Sequence, residues 1–594
     1  MGPLDVQHVV VGLDLTTQRF YRLLLRKRQK FLSEAEKTCL RVYQDSLDSL
    51  SIGTSLDHYQ AESFLLKHIV KLESNIKHVC EKHDTLSMLL LARRLRPQDL
   101  GYRHSGTLWN VFRTLTLAVL KYCDSSLPTA TATSLVGGEM HFRINVAHND
   151  VADVLKLLLL CEHYYSATCC LRYVRKSASI LLGTRRPIAQ PDETLRKAVD
   201  LYDSRLDSAR CSPFDVVGLL HEIEFPTTSG NPFMFFCVPN EDEDSKPLTT
   251  SDETWVIELP PPSYYPGLIS LRGLLEYLCL FRDSVRSTYG CEPEQLFNLV
   301  QVLCAWLLLR FKETAPTRLY QYSQRGLSIS FYSVLRREIS QLIRWASKMF
   351  VGDKKSITSE SAIQLLEKFS ISPKTSRTNI DLRQWEPKYA FYILQDKLII
   401  DLLAISEFIK GILWKVQLSD TEKNIKGNEF ENELADYLLK YSPKARTVFP
   451  PRKKLKLKGK LKAEIDLSIG KNSICFVVDC KSYSINRQLF EGERQAVRNR
   501  WDTVLKWLRD NDERASFLAE NPKGDNYDLP QDYSHVVPVV CSTHPEFLFD
   551  ISEHFLLDRY TPRVCTPKEL VEFLNSFNES VLASEPYAIR IIRK

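Results

Sequence analysis

Two apolar runs stand out against the polar background of the C-terminal third, residues 463–469 (AEIDLSI) and 473–481 (SICFVVDCK), separated only by Gly470, Lys471 and Asn472. So short a gap predicts neighbouring antiparallel strands. Side chains alternate along a strand, so Asp479 and Lys481 share one face and Cys480 takes the other. Upstream, Phe430, Leu434, Tyr437 and Leu438 recur at helical spacing within residues 426–439, and Glu431 flanks that stripe. Downstream, Val497, Trp501, Val504, Leu505 and Leu508 predict a second helix that leaves Gln495, Arg498 and Asp502 on another face. Residues 535–541 read as a strand, and residues 563–574 as a strand feeding a helix capped by Thr566 with Pro567 at its first position.

The same periodicity predicts helices over residues 32–50, 60–82, 151–173, 192–208, 271–283, 293–311, 332–349 and 389–416. Within 211–265 the pattern turns to strands, around an acidic loop at 241–244. Residues 125–134 (SSLPTATATS) have few core-forming side chains and read as a linker. The expected organisation is multidomain α+β. A helical N-terminal domain covers 1–124, a mainly helical middle region with a β insertion near 211–265 covers 139–418, and an α/β domain covers 424–594.

Composition narrows the class. Of 594 residues 44% are hydrophobic, ample for several cores, and 79 basic against 73 acidic residues give a net charge of only +6. Any nucleic-acid footprint must therefore be local. The 15 cysteines form no Cys-x-x-Cys pair or Cys/His ligand spacing and are expected to be buried thiols in a reducing cytoplasm. The first residues lack the charged start and apolar core of a signal peptide. The apolar windows 296–311 and 393–416 are short or interrupted by polar residues, which predicts buried helices and no membrane association. No phosphate-binding Gly-x-x-x-x-Gly-Lys-Ser/Thr loop occurs, so control by nucleotide hydrolysis would need a separate NTPase or sensor subunit.

The candidate chemistry lies in the two C-terminal runs. If the strands pair, Asp466 and Asp479 converge, two carboxylates able to hold a divalent cation, with the Lys481 ammonium beside them. Cys480 offers its backbone carbonyl. Acid-x-Lys triplets also occur at Asp244, Asp353 and Glu386, but none of those ends a buried strand. Glu431, taken alone, also suits the first turn of a helix electrostatically. Just before the acid strand, Lys454, Lys456, Lys458, Lys460 and Lys462 alternate with apolar residues around Gly459, predicting a positive hairpin. Edge protection and a nuclear import signal are alternative uses of such a run. Its place beside two acids favours phosphate contact.

A Gly427-x-x-Phe430-Glu431 helix, an Ile465-Asp466 strand and an apolar strand ending Asp479-x-Lys481, in that order, resemble the PD-(D/E)XK nuclease superfamily, the restriction-endonuclease-like fold. The resemblance covers about the last 170 residues, one domain's worth. It implies that Asp466 and Asp479, with the Cys480 carbonyl and Glu431 as helix acid, hold Mg²⁺ or Mn²⁺, and that Lys481 serves the attacking water. It also implies Gln495 as a site glutamine on the following helix. With Arg498 and the five lysines as nucleic-acid contacts, the expected function is metal-dependent phosphodiester hydrolysis, of DNA more than RNA. Such a nuclease could serve an antiviral defence or restriction system, acting as a homo-oligomer or with a sensor. The alternative is a catalytically inactive nuclease-fold module that binds nucleic acid or a partner.

Overall fold

The computed structural model describes residues 3–95, 105–124, 131–136, 139–143, 146–207, 215–219, 233–239, 248–251, 256–259, 263–313, 322–348, 356–372, 380–383, 389–418, 423–482, 487–490 and 492–593. They build a mixed α/β protein with several small sheets. The N-terminal third is helical: Pro3–Leu47, His58–Cys80, Thr85–Ala92, Ser105–Tyr122 and His148–Val174. Asp57 caps the second of these by accepting from the Tyr59 and Gln60 N–H groups, which would otherwise lack partners. Phe64, Leu65, Ile69, Leu72, Ile76 and Val79 then form its buried stripe.

His148–Val174 is long and apolar enough to cross a membrane by length and composition, but it is packed against the Pro3–Leu47, His58–Cys80 and Ser105–Tyr122 helices. Residues on both sides of the expected boundary at 124 therefore share one apolar core. Part of the expected linker is sheet. Thr131–Val136 pairs with Glu139–Arg143 at the edge of a six-stranded sheet that continues through Leu327–Phe331. Residues 125–130 lie outside the described set.

The helix expected over 389–416 is corrected to a hairpin, Phe391–Leu394 with Lys397–Asp401, followed by the helix Ile405–Leu418. Gln395 takes a positive φ of 57° in the turn. Both strands are buried throughout, and a run that is apolar on every face carries no period to separate strand from helix. Within 211–265 the described residues form strands Asp215–Leu219, Phe233–Pro239 and Tyr264–Ser270 in one antiparallel sheet, and Leu248–Ser251 pairs with Val256–Leu259. The acidic loop 241–244 lies outside the described residues.

In the C-terminal region the sheet runs Arg446–Thr447, Leu467–Lys471, Ile474–Lys481, His535–Ser542, Val564–Cys565. The first pairings are antiparallel and the last two parallel. Alternate residues of Ile474–Lys481 face opposite layers. Phe476 and Val478 pack with Phe430, Leu434 and Leu438 of the Lys423–Tyr441 helix and with Leu570 and Phe573 of Pro567–Ser576. Cys475 and Val477 pack with Ala515 and Leu518 of the long Arg494–Glu520 helix. Helices thus cover both faces of a sheet too apolar to face water. Asn511 fixes the long helix across the two central strands by donating to the Val477 and Val539 carbonyls. Gly470 is required because a Cβ there would lie 1.8 Å from the Tyr533 hydroxyl.

The three-layer region is docked, not tethered. Phe281 of the middle region stacks on Phe430, with centroids 6.0 Å apart. From the helix Glu193–Asp207, Arg205 forms a two-pronged ion pair with Glu569 at 2.8 and 2.9 Å and donates to the Glu546 and Val564 carbonyls. Both side chains are under 5% exposed. Removing one partner of such a pair strands a buried charge, so Arg205→Met is expected to cost about 3–5 kcal/mol. The double change Arg205→Met/Glu569→Gln, which keeps a hydrogen-bonding cap for the Thr566 helix, should recover part of that. Urea denaturation of the two variants beside the parent checks both expectations.

Candidate active site

The site begins with a tight turn. Asn472, at φ 52°, lets Leu467–Lys471 fold back on Ile474–Lys481 with Leu467 opposite Val478. One step beyond that pair, the Cys480 N–H donates to Asp466 Oδ2 at 2.9 Å. Asp466 lies at a break: the chain expected as a single strand over 463–469 divides into Lys460–Ile465 and Leu467–Lys471. The first segment leaves the sheet to pair with Lys453–Leu457, and the Arg452 N–H binds the Asp466 carbonyl. Because N–H and C=O of one strand residue turn to the same edge, the Cys480 carbonyl faces the Asp466 side.

Asp479 is 1% exposed and faces the Arg494–Glu520 helix. Two cations meet it. Lys481 Nζ is 2.8 Å from each carboxylate oxygen, and Arg514 Nη1 is 2.5 Å from Oδ1. Oδ2 is buried with no hydrogen bond directed at it, although the ammonium is close. Asp466 feels the opposite balance. Burial, and then the neighbouring Asp479 charge, push its pKa up to about 7 against the help of the Cys480 N–H and Lys481. Burial works against the Arg514 charge too, but attraction to Asp479 outweighs it and the guanidinium pKa is raised.

Glu431 reaches this end of the sheet from the Lys423–Tyr441 helix, with Oε2 2.5 Å from Arg452 Nε. The Cys480 thiol lies on the opposite face from Asp479. Its pKa is raised well above its ordinary range by burial and, to a lesser degree, by the charges of Asp466, Asp479 and Glu431. Among the described residues no group of three or more His, Cys, Asp or Glu forms a ready cation cage. Asp466 and Asp479 are an acid pair, and Glu431 is engaged by Arg452. Hard carboxylate oxygens and a carbonyl on the same edge are the donor types that Mg²⁺ or Mn²⁺ takes.

Gln495 does not join the site. It is exposed and donates to Asn499 on its own helix. The helix residue that meets Asp479 is Arg514, about 28 Å further along the axis at 1.5 Å per residue. Asn511, in the second half of that helix, lies over the two central strands. Arg514 was legible only by extending the apolar stripe past Leu508 to Asn511, Ala515 and Leu518, which brackets it. Arg498 reaches the N-terminal region instead, donating to Ser177 Oγ at 3.0 Å. Lys454, Lys456, Lys458, Lys460 and Lys462 are all exposed on or beside the Lys453–Leu457/Lys460–Ile465 ribbon.

No family model matches the chain, and no significant match to a curated protein or to a solved structure is found.

The acid pair has a consequence for stability. A carboxyl whose pKa is higher in the folded than in the unfolded chain favours folding least once both forms are ionised, so the pair costs most above about pH 7. Asp466→Asn keeps an oxygen for the Cys480 N–H and removes the charge. In EDTA at pH 8 it should stabilise the protein by about 1–4 kcal/mol, with little effect at pH 4. Thermal unfolding at the two pH values reads the difference.

Proposed function

We propose that this chain is a divalent-cation-dependent nuclease of the PD-(D/E)XK type, with its catalytic region over 424–594 and DNA as the preferred polymer. The observation that supports this most is the convergence of Asp466, Asp479 and Lys481 at one end of a sheet covered by helices on both faces. Asp466 and Asp479 would hold the cation, with the Cys480 carbonyl beside them. Bound there, it would supply charge to polarise the phosphodiester and to lower the pKa of a coordinated water. Lys481 orients the attacking water and offsets charge gathering on the phosphoryl oxygens. Arg514 adds a second positive charge facing the same carboxylate, and Glu431, through Arg452, holds the chain at the break beside Asp466. The N-terminal and middle regions, docked through Arg205 and Phe281, fit a sensing or partner-binding role such as a defence or restriction effector requires.

One observation favours a second reading, a nuclease-fold module that binds without cutting: Arg514 already takes Asp479 Oδ1, where a cation would bind. The two readings part in the test tube. Supercoiled plasmid, linear DNA and RNA are offered to the full chain with Mg²⁺, Mn²⁺ or EDTA. The nuclease reading expects cation-dependent cleavage, reduced about 10²-fold or more in Asp479→Ala and in Lys481→Ala with the fold intact. Cleavage that persists in both variants defeats the assignment.

A further expectation concerns Arg514. Arg514→Gln removes a competitor for Asp479, so Mn²⁺ should bind tighter in the absence of nucleic acid while cleavage slows. Calorimetric titration with Mn²⁺ alone checks the first half independently of activity.

A further inference from the structure

Outside the acid pair, the two-stranded ribbon Lys453–Leu457/Lys460–Ile465 and its turn carry five exposed lysines. Its register sets Lys454 opposite Glu464, Lys456 opposite Leu461 and Leu457 opposite Lys460, with a bulge after Leu455. The turn residues Lys458 and Gly459 both have positive φ, 53° and 74°, the two-residue turn whose twist matches that of the strands. Leu455 and Ile465 anchor the base in a small core with Phe449 and Tyr527. Leu461 is the exception among the apolar residues, 55% exposed amid the lysines.

The outer edge of Lys453–Leu457 is already bonded. Asp525 donates its N–H to the Lys456 carbonyl at 2.9 Å, and its carboxylate accepts from the Lys458 and Gly459 N–H groups at 3.2 and 2.7 Å. Asn526 accepts from the Lys456 N–H at 2.9 Å and donates to the Lys454 carbonyl at 2.7 Å. Gly524 permits this approach, since a Cβ there would lie 2.6 Å from the Lys456 carbonyl oxygen. With that edge closed, protection against strand pairing does not account for Lys454, Lys456 and Lys458. The clamp also stiffens the backbone from which the exposed lysines project.

A stiff two-stranded ribbon has a geometric counterpart. The major groove of B-form DNA admits one, whereas that of A-form RNA is too deep and narrow to be read. Five residue steps separate Lys460 from Ile465, about 17 Å at 3.3 Å per step. That span equals about five base pairs at 3.4 Å each. We propose that this ribbon enters the major groove of duplex DNA, its lysines on the flanking phosphates and Leu461 against base edges, and so holds about five base pairs to one side of the phosphate presented to Asp466. The assignment rests on the nuclease reading for its substrate. It deepens that reading from nucleic acid to a duplex of defined reach.

The test uses the full chain in EDTA, so that binding is read without cleavage. The probes are a DNA duplex of about 24 base pairs, an RNA duplex of the same sequence and the single DNA strand, titrated against salt. Lys456→Gln/Lys458→Gln/Lys460→Gln should weaken binding to the DNA duplex and flatten its salt slope by about 2.7, at about 0.9 for each phosphate left without its ammonium. Affinity for the RNA duplex should stay put. Leu461→Ser should weaken DNA-duplex binding severalfold with the slope unchanged, an effect that charge alone does not produce. An unchanged DNA slope in the triple variant overturns the proposal, and so does an equal loss on all three probes, which would make the ribbon a general phosphate-binding surface. Unchanged unfolding midpoints confirm that the exposed substitutions leave the fold intact. Cation-dependent cleavage by the parent protein, measured alongside, separates failure of the ribbon from failure of the nuclease reading.

Discussion

The rest of the C-terminal structure is arranged around one unfavourable encounter, two carboxylates brought together at the end of a buried sheet. Asp466 and Asp479 repel, and burial makes the repulsion stronger than it would be in water. The pair is sustained because backbone geometry leaves neither acid anywhere else to go. The Asn472 turn fixes the register, Asp479 stands on a strand held from both faces, and the Cys480 N–H takes one oxygen of Asp466. Lys481 and Arg514 then supply the positive charge that Asp479 needs. Free energy stored in such a pair marks sites that bind cations, since what the fold pays in repulsion a ligand of opposite charge can recover.

Sequence reading reached this centre because its signals are local. Period-two alternation, a three-residue gap and an acid-x-Lys ending specify a hairpin that carries its own chemistry. The Thr566 cap, with Glu569 closing the reciprocal bond, was equally local, and so was the lysine ribbon around Gly459. What stayed hidden depends on partners far along the chain. Thr131–Val136 looks like a linker until Glu139–Arg143 and Leu327–Phe331 extend it into a sheet. The 391–401 hairpin is buried on both faces, so its apolar run carries no period to reveal it. Sequence points to Gln495 over Arg514 because a helix start is visible in it and the point where a 27-residue helix crosses a sheet is not. Arg205 and Glu569 are 364 positions apart.

The site and the ribbon also share one piece of backbone. Asp466 is the residue at which the chain stops belonging to the ribbon and starts belonging to the sheet, with Arg452 bonded to it from the ribbon's other strand. A force that tilts the ribbon is thereby applied within one residue of a candidate cation ligand. Gly524, Asp525 and Asn526 brace the ribbon against such movement from the side.

The stacking of Phe281 on Phe430 has a different implication, for how the three-layer region could be controlled. The helix that carries Phe430 belongs at once to the sheet's covering layer and to the apolar core of the middle region. A fragment cut away before Lys423 would leave Phe430 without Phe281 and Glu569 without its guanidinium. Cutting the chain there would therefore expose apolar surface and leave a buried charge unpaired. A movement of the middle region that displaces Phe281 or Arg205 is instead passed directly to the two helices that cover one face of the sheet.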